Sequence, residues 1–137
     1  MIARGRTIST RLPTWLDEAL RELFQAKGEG PSEGLRRVAE EWWTMDHYPK
    51  LEFRDGTFER RAALRDGPEV WEIVFVQRDY GDDLVGLYEH FGPVDREAID
   101  QALAYYRESP QPIDRRIEEN DRIGQRLEAE WLASREP

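Results

Sequence analysis

The stretch Arg6-Thr7-Ile8-Ser9-Thr10-Arg11-Leu12-Pro13 decides how this chain is read. Ile8, Thr10 and Leu12 fall on one side and Thr7, Ser9 and Arg11 on the other, the period-two alternation of a half-buried strand. Pro13, with no N–H to give a ladder, ends it. Thr14 followed by Asp17 reads as a helix N-cap with a capping-box acid. The stripe Trp15, Leu16, Ala19, Leu20, Leu23 and Phe24 is helical as far as Lys27-Gly28. A second helix opens at Gly30-Pro31-Ser32-Glu33, with proline in the first turn, and carries Leu35, Val38, Ala39, Trp42 and Trp43 on one face. Residues 6–43 therefore read strand, helix, helix.

One strand and two amphipathic helices cannot close a core, because the strand backbone stays unpaired and the apolar helix faces stay uncovered. The economical solution is a two-fold dimer in which two such strands pair antiparallel.

Working outward, Met45–Lys50 reads as a connector containing Asp46, His47 and Pro49, and residues 51–64 as a hairpin about Asp55-Gly56. Helices are expected over about 69–78, 82–91 and 95–107, the last after Gly92-Pro93. Pro110 and Pro112 break the chain, and a polar helical tail follows to Leu132, with Ile113, Ile117, Leu127 and Trp131 roughly on one side. The expected organisation is residues 1–44, 45–110 and 111–137. The fold class is mainly α with short β.

The composition fits a folded protein: 39% of the 137 residues are hydrophobic, and there are five each of Trp, Tyr and Phe. Cysteine is absent, which removes disulfides and thiolate chemistry and fits a reducing compartment. With no apolar run long enough to span a bilayer, the expectation is a cytoplasmic protein with no membrane partner. The net charge of -9 opposes phosphate binding, but it is unevenly placed. Residues 1–43 carry seven basic and seven acidic residues, whereas 44–137 carry 13 against 22. Arg4, Arg6 and Arg11 precede any acid, and charges farther than about 8 Å apart are largely screened at physiological salt.

Over residues 6 to about 43, "RTISTRLPTWLDEALRELF" and "GPSEGLRRVAEEWW" resemble the ribbon-helix-helix family of the Arc and MetJ kind. The resemblance implies an intertwined homodimer, with higher assembly left open, that binds a palindromic double-stranded DNA operator. Thr7, Ser9 and Arg11 would then lie at the three base-reading positions. Arg11 suits a bidentate pair to guanine, worth about 1–3 kcal/mol of discrimination. Ser32 and Glu33 at the second helix start, with Arg4 and Arg6 beside the ribbon, would contact phosphate. Gly34 departs from the family, which has an apolar helix residue there, and should weaken the second helix.

Residues 48 to about 119, through "RRAAL", "GPEVWEIV" and "ALAYYRESPQPID", resemble the domain of unknown function 433 family, a small helical, helix-turn-helix-like module with a hairpin. That likeness implies an antitoxin of the VapB type, whose partner would be a PIN-type ribonuclease toxin. The tail residues Ile113, Arg115, Arg116, Ile117, Arg122, Arg126, Leu127 and Trp131 are the expected partner-binding set, their arginines facing the acidic site of such a nuclease. A terminal helix packed on its own dimer is an equal reading of the same stripe. The acids Asp95, Glu97 and Asp100 argue against the 95–107 helix as a second DNA reader.

Catalysis has little to stand on. His47 and His90 are the only histidines and share no metal-ligand spacing, no carboxylates form an acid/base pair, and no glycine-rich phosphate loop is present. The chain is read as a regulator without enzyme activity, cofactor or metal. The alternatives are a free-standing repressor with no toxin and an acidic dimeric scaffold that binds only protein.

Overall fold

The computed structural model describes residues 5–57 and 59–135. These are mainly helical with one small antiparallel sheet: α1 (Thr14–Ala26), α2 (Pro31–His47), β1 (Leu51–Asp55), β2 (Arg60–Leu64), α3 (Val70–Tyr80), α4 (Leu84–Phe91), α5 (Arg96–Glu108) and α6 (Pro110–Arg135). The chain divides into two compact units between Trp42 and Trp43. That division falls inside α2, which takes up Met45 to His47 of the expected connector. Neither Asp46 nor His47 breaks a helix, but the residue before Pro49 is driven out of helical conformation.

In the first unit, the N-cap of α1 is Pro13, and no side chain caps the helix. Thr14 is already helical, and the Pro13 carbonyl accepts from the N–H groups of Leu16 and Asp17, each at 3.0 Å. Asp17 is not a capping acid but pairs with Arg21 one turn on, at 3.0 Å. The end of α1 is a Schellman motif: Gly28 takes φ +72°, its N–H donates to Gln25 O and the Glu29 N–H to Phe24 O.

Among the described residues Phe24 is the apolar side chain this unit buries, and beneath it lies the buried Gly34 of α2. A Cβ at Gly34 would fall inside the Phe24 ring. The departure noted at Gly34 is thus what lets α2 pass under the ring. Beside this contact, Arg37 donates to both carboxylate oxygens of Glu29 (3.0 and 2.8 Å) and to Glu41 (3.0 Å). The Glu29 carboxylate raises the Arg37 pKa, opposed by partial burial and helped by Glu41.

The second unit is built on the hairpin. β1 and β2 pair from Leu51 with Leu64 to Asp55 with Arg60. Gly56 donates to Glu59 O at 2.8 Å across a four-residue connection, so β2 starts at Arg60 and Asp55-Gly56 is not a two-residue turn. Phe58, within the expected hairpin, lies outside the described residues. Helix α3 packs on β2, α4, α5 and α6, and its start is a capping box in which Glu69 and Glu72 satisfy one another's backbone. Leu51, Leu64, Ile73, Leu87, Ile99 and Ile117 are its most deeply buried large residues.

Only Ser109 separates α5 from α6. The prolines expected to break the chain instead occupy the first turn of α6, where a missing N–H costs nothing. The tail therefore belongs to the second unit from its first residue, and the two parts expected over 45–110 and 111–137 are one. Among the described residues, no helix is long and apolar enough to cross a membrane.

Candidate nucleic-acid interface

Residues 5–13 precede α1 and belong to no helix or strand. Arg6, Thr7, Ser9 and Arg11 are exposed, as four of the expected DNA-contacting side chains must be; Arg4 lies outside the described residues. Ile8, on the inward side of the alternation, is 90% exposed, so one chain offers it nothing to pack against. The helices repeat the pattern. Trp15 is 70% and Trp42 63% exposed, and Leu23, Leu35 and Val38 are also uncovered. Much of the apolar stripe of the first unit therefore faces out, while Leu12, Leu16 and Leu20 are half-buried and Phe24 is buried.

Ser32 and Glu33 are exposed in the first turn of α2. Pro31 has no N–H to give, and the first bond of this turn runs from Gly34 N–H to Gly30 O at 2.9 Å. First-turn N–H groups have no carbonyl one turn back, so those of Ser32 and Glu33 are free to meet an anion. The Glu33 carboxylate sits at the same helix end and competes for it. Base-reading and phosphate-holding candidates thus occur together in the first unit, outside its small buried contact.

The expected partner-binding set on α6 divides in two. Ile113 and Ile117 are buried in the second unit's own core, Ile117 at 1% exposure, so they are core residues and not a docking face. Arg116 is held over the Trp71 ring at 5.0 Å and reaches Glu119 at 3.9 Å. Arg115 lies 3.9 Å from Glu59. Asp114 accepts from Tyr106 (2.6 Å) and Arg78 (3.2 Å), tying this half of α6 to α5 and α3. By contrast every residue from Asp121 to Arg135 is exposed, Arg122, Arg126, Leu127 and Trp131 included. Ile123 and Leu132 are also exposed and were not in the set, although the spacing of Ile123, Leu127 and Trp131 carried the signal for Ile123.

Helix α5 does not offer a second DNA reader. Its inner face is Ala98, Ile99, Ala102 and Leu103, all buried. Its exposed start carries Asp95, paired with Lys50 at 2.9 Å, and Asp100, which accepts a hydrogen bond from the Tyr88 hydroxyl. Among the described residues no group of three His, Asp or Glu side chains is arranged to hold a metal ion. Compared with family models, curated proteins and solved structures, the chain matches none.

Proposed function

We propose that this chain is a DNA-binding transcriptional regulator that acts as a homodimer through a ribbon-helix-helix arrangement of its first unit. The observation that carries the reading is the exposed apolar stripe of that unit: Ile8, Trp15 and Trp42 are mostly uncovered within one chain, and Leu23, Leu35 and Val38 are partly so. Contiguous exposed apolar surface of this kind marks a site of association. In the dimer two 6–12 segments pair antiparallel, turning Ile8 and Leu12 inward over the helices and Thr7, Ser9 and Arg11 outward into the major groove. Ser32 and Glu33 N–H groups, with Arg4 and Arg6, then hold the flanking phosphates. The acidic second unit carries the whole net charge and stays off the DNA.

The narrower form of the proposal is an antitoxin that represses its own operon and neutralises a PIN-type ribonuclease, and it rests on the likeness of residues 48–119. Gel-shift with the DNA upstream of the gene tests the regulator. Binding should weaken steeply with salt and with Arg11→Ala, and equal binding by wild type and Arg11→Ala would remove the ribbon. Purification from the native host tests the toxin: a nuclease should accompany the dimer, and recovery of the dimer alone at full yield would leave a free-standing repressor.

A further inference from the structure

The outer half of α6 carries a row of half-exposed apolar side chains, covered by their own helix only where the Arg135 guanidinium lies over the Trp131 ring at 4.3 Å. Ile123, Leu127 and Trp131 are each between 44% and 55% exposed. At about 100° per residue, Ile123, Leu127 and Trp131 lie within one 80° sector, and Asn120 and Ile113 fall in the same sector about one and three turns earlier. The row is therefore a continuation of the face that docks at Ile113, carried past the edge of the core.

We propose that this row is an interface with the same row of a second copy, crossing antiparallel about a two-fold axis near Leu127. Two features select that occupant and that direction. The first is volume. Gly124 and Trp131, the smallest and largest side chains of the row, lie seven residues apart on neighbouring lines of the helix. A parallel, in-register pair would stack Trp131 on Trp131 and leave Gly124 facing Gly124, overfilling one layer and emptying the other. An antiparallel pair centred near Leu127 sets each Trp131 beside Gly124 of the second copy and closes Leu127 on itself.

The second feature is charge. On one flank of the row Arg126 is followed by Glu130, which it meets within its own helix at 3.9 Å. Reversal about Glu128, one residue beyond Leu127, brings Arg126 of each chain to Glu130 of the other. On the opposite flank it brings Asp121 to Arg135. The first flank thus becomes complementary to a reversed copy of itself, and on the second the two outer Asp121–Arg135 pairs offset a central meeting of Glu128 with its own counterpart. The contact spans about four helical turns and falls at the small end of specific interfaces, so it is reversible. It does not depend on the ribbon reading, since it uses residues of the second unit alone.

The natural chain has no cysteine, which makes single-cysteine cross-linking clean. Leu127→Cys, Asn120→Cys and Ser134→Cys would each be made in full-length protein also bearing Ile8→Asp, which keeps any ribbon pairing out of the result. Under mild oxidation Leu127→Cys should form a disulfide-linked dimer at least tenfold faster than either other variant alone, while an equimolar mixture of Asn120→Cys and Ser134→Cys should link as a mixed pair. Linking of all three variants at equal rates would mean a parallel pair. Absence of linking at Leu127→Cys, with the fold intact by circular dichroism, would mean that a different protein covers the row. Either outcome overturns the proposal.

Discussion

The Phe24 ring rests against the backbone of Gly34, where a methyl group would have no space. Alanine at a helical glycine normally gains up to about 1 kcal/mol. Here overpacking should cost about 1–3 kcal/mol and win. Gly34→Ala is expected to lower the denaturation midpoint of the first unit, and adding Phe24→Leu to restore part of it. A Gly34→Ala protein more stable than wild type in urea titration would show that the ring is free to move aside.

The two halves of α6 should respond differently to truncation. Ile117→Ala removes a fully buried side chain between α6 and the core and should cost about 2–5 kcal/mol. Leu127→Ala changes only exposed surface and should lie within about 0.5 kcal/mol of wild type at concentrations too low for association. Equal losses in thermal or denaturant unfolding would contradict the division of the helix.

Tyr48 gives the second unit a titration at high pH. Burial of the phenol, then its hydrogen bond to the Glu108 carboxylate, pushes its pKa from 10.0 up to about 12. The folded chain therefore holds the proton more tightly than the unfolded one. The stabilisation is complete below pH 10 and is lost as pH rises from there through 12. That gap corresponds to roughly 2–3 kcal/mol. Unfolding followed between pH 9 and 12 should show a smaller decline in Tyr48→Phe than in wild type; identical slopes would assign the decline to other groups.

For the DNA reading, Arg11→Ala should lose about 1–3 kcal/mol at operator DNA and little at unrelated DNA. Arg6→Ala should weaken both alike and reduce the salt slope by about one. The comparison is a set of binding isotherms at several salt concentrations. A uniform loss for Arg11→Ala would demote it from base reader to phosphate contact.

Much of this fold was legible because it is locally encoded. The stripes of α1 and α2, Pro31 in a first turn, Gly28 after α1 and the paired strands around Gly56 each announce themselves within a few residues. The parts that were not legible depend on partners far along the chain. Gly34 looked like a defect because its reason, Phe24, sits ten residues earlier on another helix. Pro110 and Pro112 looked like a break because a proline in a first turn and a proline after a helix end read alike; the burial of Ile113 and Ile117 against α3 and α5 decides between them. In the candidate interface, the alternation of residues 6–12 identifies which side chains share a side, and Ile8 shows that one chain cannot cover the inward one.

The single residue between α5 and α6 has a consequence for how this protein can change. Ser109 leaves no slack, so α6 leaves α5 with its rotation already set. A residue added between Ile117 and Ile123 would keep the anchored half in place and turn the outer row by about 100°. Seven added residues would bring it almost back. Length variation in this helix is therefore a matter of phase: insertions and deletions should be tolerated in sevens, and single-residue ones should leave a folded protein whose outer row points the wrong way.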